Sequence, residues 1–166
     1  MSDRAKREAA RVLDLIDDGL QAIVDVRAAL PGIGANLRFV TLPQKMLDDP
    51  RLATISSFIT LRDRTIHVSV AQTPEEMRYA IAREIGRFVL HAERMAKPGY
   101  DAASKRLGVP RDSDQEEAEV FARHLLATQS KIDGYRHGEG RTSAVIARML
   151  AIPACIAHAR LNEAAR

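Results

Sequence analysis

Arg83-Glu84-Ile85-Gly86-Arg87 sets two permanent cations four residues apart around one carboxylate. On a helix, positions i and i+4 share a face, so both guanidiniums project together and Glu84 stands one turn from Arg87. Arginine carries five N–H donors and no lone pair. Such a pair suits a carboxylate or a phosphate, not a metal ion. Like charges at this spacing repel by roughly a few tenths of a kcal/mol when exposed, and by more when buried. They therefore need carboxylates or a bound anion. Further along, Gln115 and Glu119 share a helical face, flanked by Glu116 and Glu117. The expected arrangement is a polar cluster of Arg83 and Arg87 with Glu84 and Glu119. It is either an internal salt-bridge network or a recognition site for an acidic partner or phosphate.

The other chemistry-bearing residues are dispersed. His67, His91, His124, His137 and His158 are the five histidines. His91 follows Arg87 by four residues and continues its face. His91 and His124, joined by a Glu, are the fallback candidates for a metal site. The single Cys155 excludes an intramolecular disulfide and a multi-cysteine metal site. Its apolar surroundings suggest a buried structural thiol. Arg4, Lys6, Arg7 and Arg11, and later Lys105, Arg106 and Arg111, read as scattered solvated positives.

The elements that must position these groups are legible from periodicity. Ala9, Val12, Leu13, Ile16, Leu20, Ile23 and Val24 recur in steps of three and four, which predicts a helix over 4–29. Pro31-Gly32-Ile33-Gly34 stops it. Leu37, Phe39 and Val40 suggest a short strand. Residues 55–60 and 65–70 are β-rich runs around a polar tip at 61–64, a hairpin pattern. Thr73-Pro74-Glu75-Glu76 carries a hydroxyl N-cap, a proline at the first position and capping-box spacing. That helix should reach about His91, with Met77, Ala80, Ile81, Ile85, Phe88 and Val89 as its apolar stripe. Residues 95–112, with Pro98-Gly99, Gly108 and Pro110, read as a mobile loop. A helix then runs from Asp112 or Ser113 to about Thr128. Residues 130–140, with three glycines, read as a loop. Two short helices over 141–150 and 153–163 end the chain, the second opened by Pro153.

Composition narrows the classes. With 166 residues, one domain with a real core is expected. Aromatics are only 4%, which leaves the core to aliphatic side chains and argues against a stacking platform for single-stranded nucleic acid. A formal net charge of +3 is too small to imply polyanion binding. No apolar run approaches the roughly 20 residues that span a bilayer. The charged start, 1–11, lacks the apolar core of a signal peptide. A cytoplasmic setting is expected.

Taken together, Ala82-Arg83-Glu84-Ile85-Gly86-Arg87-Phe88-Val89-Leu90-His91, then Gln115-Glu116-Glu117-Ala118-Glu119-Val120-Phe121-Ala122, then Ala157-His158-Ala159-Arg160-Leu161 resemble the ImmA/IrrE-type metallopeptidases. In that family a hairpin precedes a helix bearing His-Glu-x-x-His. A Glu-x-x-Ala-Asn-x-Phe-Ala helix and a short tail with an Arg-Leu pair follow. The resemblance covers about 35–163 and implies an α+β, zincin-like fold, with a small antiparallel sheet packed on helices. Residues 1–34 would form a family-variable N-terminal helix and 35–166 the peptidase-like domain. It also implies zinc held by two histidines and a carboxylate, with the glutamate as general base. Here Arg83, Arg87 and Gln115 stand at the three ligand positions, and Glu84 alone survives as a vestigial base. Position 91 would be a structural histidine, and Gly86 would allow close approach of the hairpin.

A chain altered in this way is expected to hold no metal or cofactor and to act as a non-catalytic pseudopeptidase. Active relatives act on helix-turn-helix repressors. The expected role is thus a regulatory protein-binding factor, an antirepressor or adaptor in transcriptional control of a mobile element or a stress response. Two alternatives are a DNA-binding regulator using the helix-turn-helix-like tail 145–156, whose second helix goes on to His158 and Arg160, with Arg148 or Arg160 on the duplex, and a peptidase with a relocated metal.

Overall fold

The computed structural model describes residues 2–16, 23–41, 56–96, 112–136 and 142–164. Helix α1 is Ser2–Ile16, and its stripe Ala5, Ala9 and Val12 is fully buried. This helix shares one core with the other described elements, packing chiefly on the later helix Asp112–Leu126. The single helix expected over 4–29 does not persist. Ile23–Asp25 is irregular, a 3-10 turn covers Val26–Ala28, and α2 is only Ala29–Ile33. The reason is local competition. Asp25 caps the turn by accepting from the Arg27 backbone N–H at 3.0 Å, an alternative to helix that short polar side chains offer. The Val24 carbonyl bonds a distant arginine instead of its own helix. The stop also shifts: Pro31 and Gly32 lie inside α2, and Gly34, at φ 66°, closes it. Pro31 is tolerated because the first-turn N–H groups have no intrahelical partner.

The sheet has order β1-β3-β2, from Asn36–Val40, Ser57–Thr60 and Thr65–Ser69. The β2/β3 hairpin is antiparallel as its sequence predicts, but β1 pairs parallel to β3, so the sheet is mixed rather than antiparallel. Hairpin chemistry sets only the β2–β3 pairing. The partner of β1 is settled by burial, because central β3 covers Ile66 and Val68 completely against the helices. On the opposite face Arg38, His67 and Phe58 stand in register, with the last two rings stacked at 4.5 Å.

Helix α3, Pro74–Ala96, opens on the expected capping box: Thr73 N–H donates to Glu76 Oε2 at 2.9 Å, and Glu76 N–H to Thr73 Oγ1 at 3.3 Å. It extends beyond His91 to Ala96. Between Ala80 and His91 nearly every side chain is buried, the mark of a helix enclosed on several sides. The sheet lies against one side and α4, Asp112–Leu126, against another. Gly86 serves this second contact and not the hairpin: a Cβ there would lie 2.8 Å from the Phe121 ring. The predicted loop 95–112 falls mostly outside the described residues.

The loop expected over 130–140 is in part helix α5, Gln129–Arg136. Gly134 weakens it by roughly 1 kcal/mol relative to alanine, but Ile132 is wholly buried and anchors it. Helices α6, Ser143–Leu150, and α7, Ala154–Ala164, match the expected pair. Thr142 caps α6, Ala151 ends it in the left-handed region at φ 49°, and α7 departs at 113°. Among the described residues no single helix is long and apolar enough to cross a membrane.

Gly86→Ala is expected to lower unfolding free energy by about 1–3 kcal/mol through overpacking on Phe121, despite a helix-propensity gain of up to about 1 kcal/mol. Urea denaturation measures it; a neutral or stabilising result would contradict the close helix approach.

Candidate functional site

Glu84 is 0% exposed at the centre of α3. Its Oε1 accepts from Ser57 Oγ at 2.9 Å and its Oε2 from Arg87 Nη1 at 2.9 Å. The Arg83 Nη2 lies 3.8 Å from Oε1 and donates to Ser56 Oγ and Ser57 Oγ at 3.2 and 3.0 Å. Both carboxylate oxygens are thus engaged. Arg87 is itself 5% exposed in its side chain, so this is a charge pair removed from water. Pairs of this kind are held by geometry and surrounding hydrogen bonds, and are damaged most when one member is removed. The cluster staples α3 to β2.

The structure brings together Arg83, Glu84 and Arg87 but leaves Glu119 apart. Glu119 accepts from Gln115 Nε2 at 3.1 Å on its own helix, and no ion pair joins it to either arginine. Ser57 takes the place expected of Glu119. The signal for Ser57 lay in the hairpin alternation: it pairs with Val68 and shares that inward face, where a hydroxyl needs a polar partner.

The two fallback histidines belong to separate clusters. Buried His91 lies between α3 and α4, with Nδ1 3.0 Å from Arg94 Nη2 and Nε2 3.4 Å from Glu117 Oε2. The latter is close enough for an ionic contact but lacks hydrogen-bond geometry. His124 Nε2 lies 3.4 Å from both Glu163 Oε2 and Arg160 Nη1. Burial, reinforced by the Arg160 charge and opposed by Glu163, pushes the His124 pKa down to about 4. Among the described residues, no three His, Cys, Asp or Glu side chains are grouped to hold a metal ion.

Arg160 is 1% exposed. It donates to the Ala127 carbonyl at 2.9 Å, to Gln129 Oε1 at 3.2 Å and to Glu163 Oε2 at 2.7 Å. It locks α7 onto the end of α4 and the start of α5, so it is unavailable to a duplex. Arg148 is the exposed cation of α6. Cys155, expected to be buried, is exposed at the start of α7, because Ile156 and Ala157 supply the buried face there.

A second anchoring arginine, Arg78, was not legible in the sequence beyond being a charge beside the apolar stripe of α3. Its Nε and Nη2 bond the Val24 carbonyl at 3.0 and 2.7 Å, and its Nη1 bonds the Leu150 and Ala151 carbonyls at 2.6 and 2.7 Å. Burial, partly opposed by Asp25, lowers its pKa to about 10. The cation sits on the negative end of α6, where unpaired carbonyls converge. A cleft of about 420 Å³ adjoins it, lined by Ile23, Val24, Asp25, Met77 and Ile81.

Glu84→Leu or Arg87→Met alone is expected to cost about 3–5 kcal/mol of stability, with the double variant Glu84→Leu/Arg87→Met losing less than the sum. A double-mutant cycle by chemical denaturation reads the coupling. His124 binds a proton more weakly in the fold than its ordinary value of 6.5. Acid therefore favours the unfolded chain: stability should fall by on the order of 1–3 kcal/mol from about pH 6.5 towards 4, and His124→Gln should flatten that decline. Melting curves across this range measure it.

Compared with known proteins, the chain matches no family model and no curated protein.

Proposed function

We propose that this chain is a non-catalytic, protein-binding regulator built on a peptidase-like scaffold. The observation that carries the reading is the occupation of its centre. Glu84, the position at which the resemblance places a general base, is fully buried and spends both oxygens on Ser57 and Arg87. A general base must reach the proton it removes, directly or through one water. A carboxylate enclosed and neutralised in this way holds a helix to a sheet instead. The ligand positions of the resemblance, Arg83, Arg87 and Gln115, carry two cations and a neutral amide, a donor set unsuited to zinc.

The partner class implied by the resemblance is a helix-turn-helix repressor, bound without being cut. This reading makes the protein an antirepressor or adaptor in transcriptional control. The DNA-binding alternative loses one of its two arginines, since Arg160 is internal.

The test is a calorimetric titration of the purified protein with a helix-turn-helix protein encoded beside it, combined with elemental analysis and mass spectrometry of the mixture. A stoichiometric complex with both chains intact and without bound zinc is expected. Proteolysis of the partner, abolished by Glu84→Gln in a variant that still folds, would overturn the proposal.

A further inference from the structure

His91 stands at a junction of three helices and is 2% exposed. The charged groups that face it are Arg4 from α1, Arg94 from α3 itself, and Asp114 and Glu117 from α4. Arg4 is tied down, donating from Nη2 to the Leu90 carbonyl at 2.9 Å. Buried Asp114 accepts from Arg94 Nη2, and from Ser113 Oγ at 3.3 Å.

The tautomer of His91 follows from its neighbour. Arginine nitrogens only donate, so the 3.0 Å contact from Arg94 Nη2 requires an unprotonated Nδ1. The neutral ring must then carry its proton on Nε2, directed towards the Glu117 side, 3.4 Å from Oε2. The same Arg94 nitrogen serves both His91 Nδ1 and the Asp114 carboxylate, one hydrogen for each. A second proton on the ring has only Nδ1 to occupy, and there it would confront the guanidinium donor.

We propose that His91 and Arg94 form a proton-exchanged clasp on Asp114: when His91 takes up a proton at Nδ1, its new N–H replaces Arg94 on the carboxylate and Arg94 turns out to solvent. The exchange replaces the Arg94 cation on Asp114 with the imidazolium, which it leaves between two α4 carboxylates, Asp114 and Glu117. Arg94 is suited to departure, being 48% exposed in its side chain. Its release undoes the ion pair between the last turn of α3 and the first turn of α4, and presents a guanidinium on the surface. Burial first, then Arg94 and Arg4, hold the His91 pKa below its ordinary value, against Asp114 and Glu117. The exchange therefore belongs to acidic conditions, below the usual histidine range.

Nitrogen-15 NMR of the imidazoles in the full chain tests this. At pH 7.5, His91 should show a pyridine-type Nδ1 and a protonated Nε2, and its midpoint should lie below 6.5. Arg94→Gln removes a surface-accessible cation and its hydrogen bond, and should raise the proton affinity of His91 by roughly threefold or more, half a pKa unit. Amide exchange at 92–96 and 113–117, corrected for intrinsic pH dependence, should accelerate at the same midpoint. His91→Asn keeps an acceptor for Arg94 but cannot titrate, and should abolish that step. A protonated Nδ1 at pH 7.5, an unmoved midpoint in Arg94→Gln, or an exchange step that survives in His91→Asn would each overturn the clasp.

Discussion

A charged carboxylate sealed inside a small protein must be compensated, since the desolvation of an isolated ion exceeds what a marginally stable fold can bear. Glu84 imposes this condition on its surroundings. Arg87 comes from the same helix one turn on, Ser57 from the inner face of β2, and Arg83 closes the outer side while bonding Ser56 and Ser57. The cluster fixes the rotation of α3 about its axis and the position of the hairpin on it. With α3 so oriented, Gly86 faces α4, and Phe121 fills the space that a side chain at 86 would take.

Arginines recur as the linking device at other joints. Arg78 gathers carbonyls from the 23–25 segment and from the end of α6, and Arg160 gathers the end of α4, the start of α5 and the last turn of α7. Each sits where helix carbonyls lack intrahelical partners, and a planar five-donor group serves several such acceptors at once. A chain with few aromatic side chains thus joins its short helices by polar clasps in addition to the aliphatic core. The consequence for function is that Arg87 and Arg160, two of the arginines a sequence reader would assign to a partner, are internal. Arg148 and Lys6, Arg7 and Arg11 of α1 remain on the surface, whereas Arg4 is tied to the Leu90 carbonyl.

The same compensation shapes the balance of charge in the site. Two guanidiniums near one carboxylate leave an excess of positive charge, yet Arg83 is partly exposed and solvent screens it. The arrangement is stable as a structural core and offers no open carboxylate or imidazole pair to a cation.

Local signals in the chain alone determined the hairpin, the capping box at Thr73 and Glu76, the apolar stripe of α3 and the two terminal helices. Each depends on neighbours within a few residues. The Arg83–Glu84–Arg87 grouping was legible for the same reason, being one helical face. Tertiary structure decided the rest. It gave Arg83 the hydroxyls of Ser56 and Ser57 in place of Glu119, because the hairpin packs on that face of α3. It broke the apparent helix over 4–29, because Asp25 found a cap and the Val24 carbonyl found Arg78. It made part of 130–140 helical, because Ile132 had a core to enter, and it set β1 parallel to β3. It also buried Arg160 and exposed Cys155, since burial depends on which face a distant element covers. Periodicity records which residues can lie together, but partners far along the chain settle which of them do.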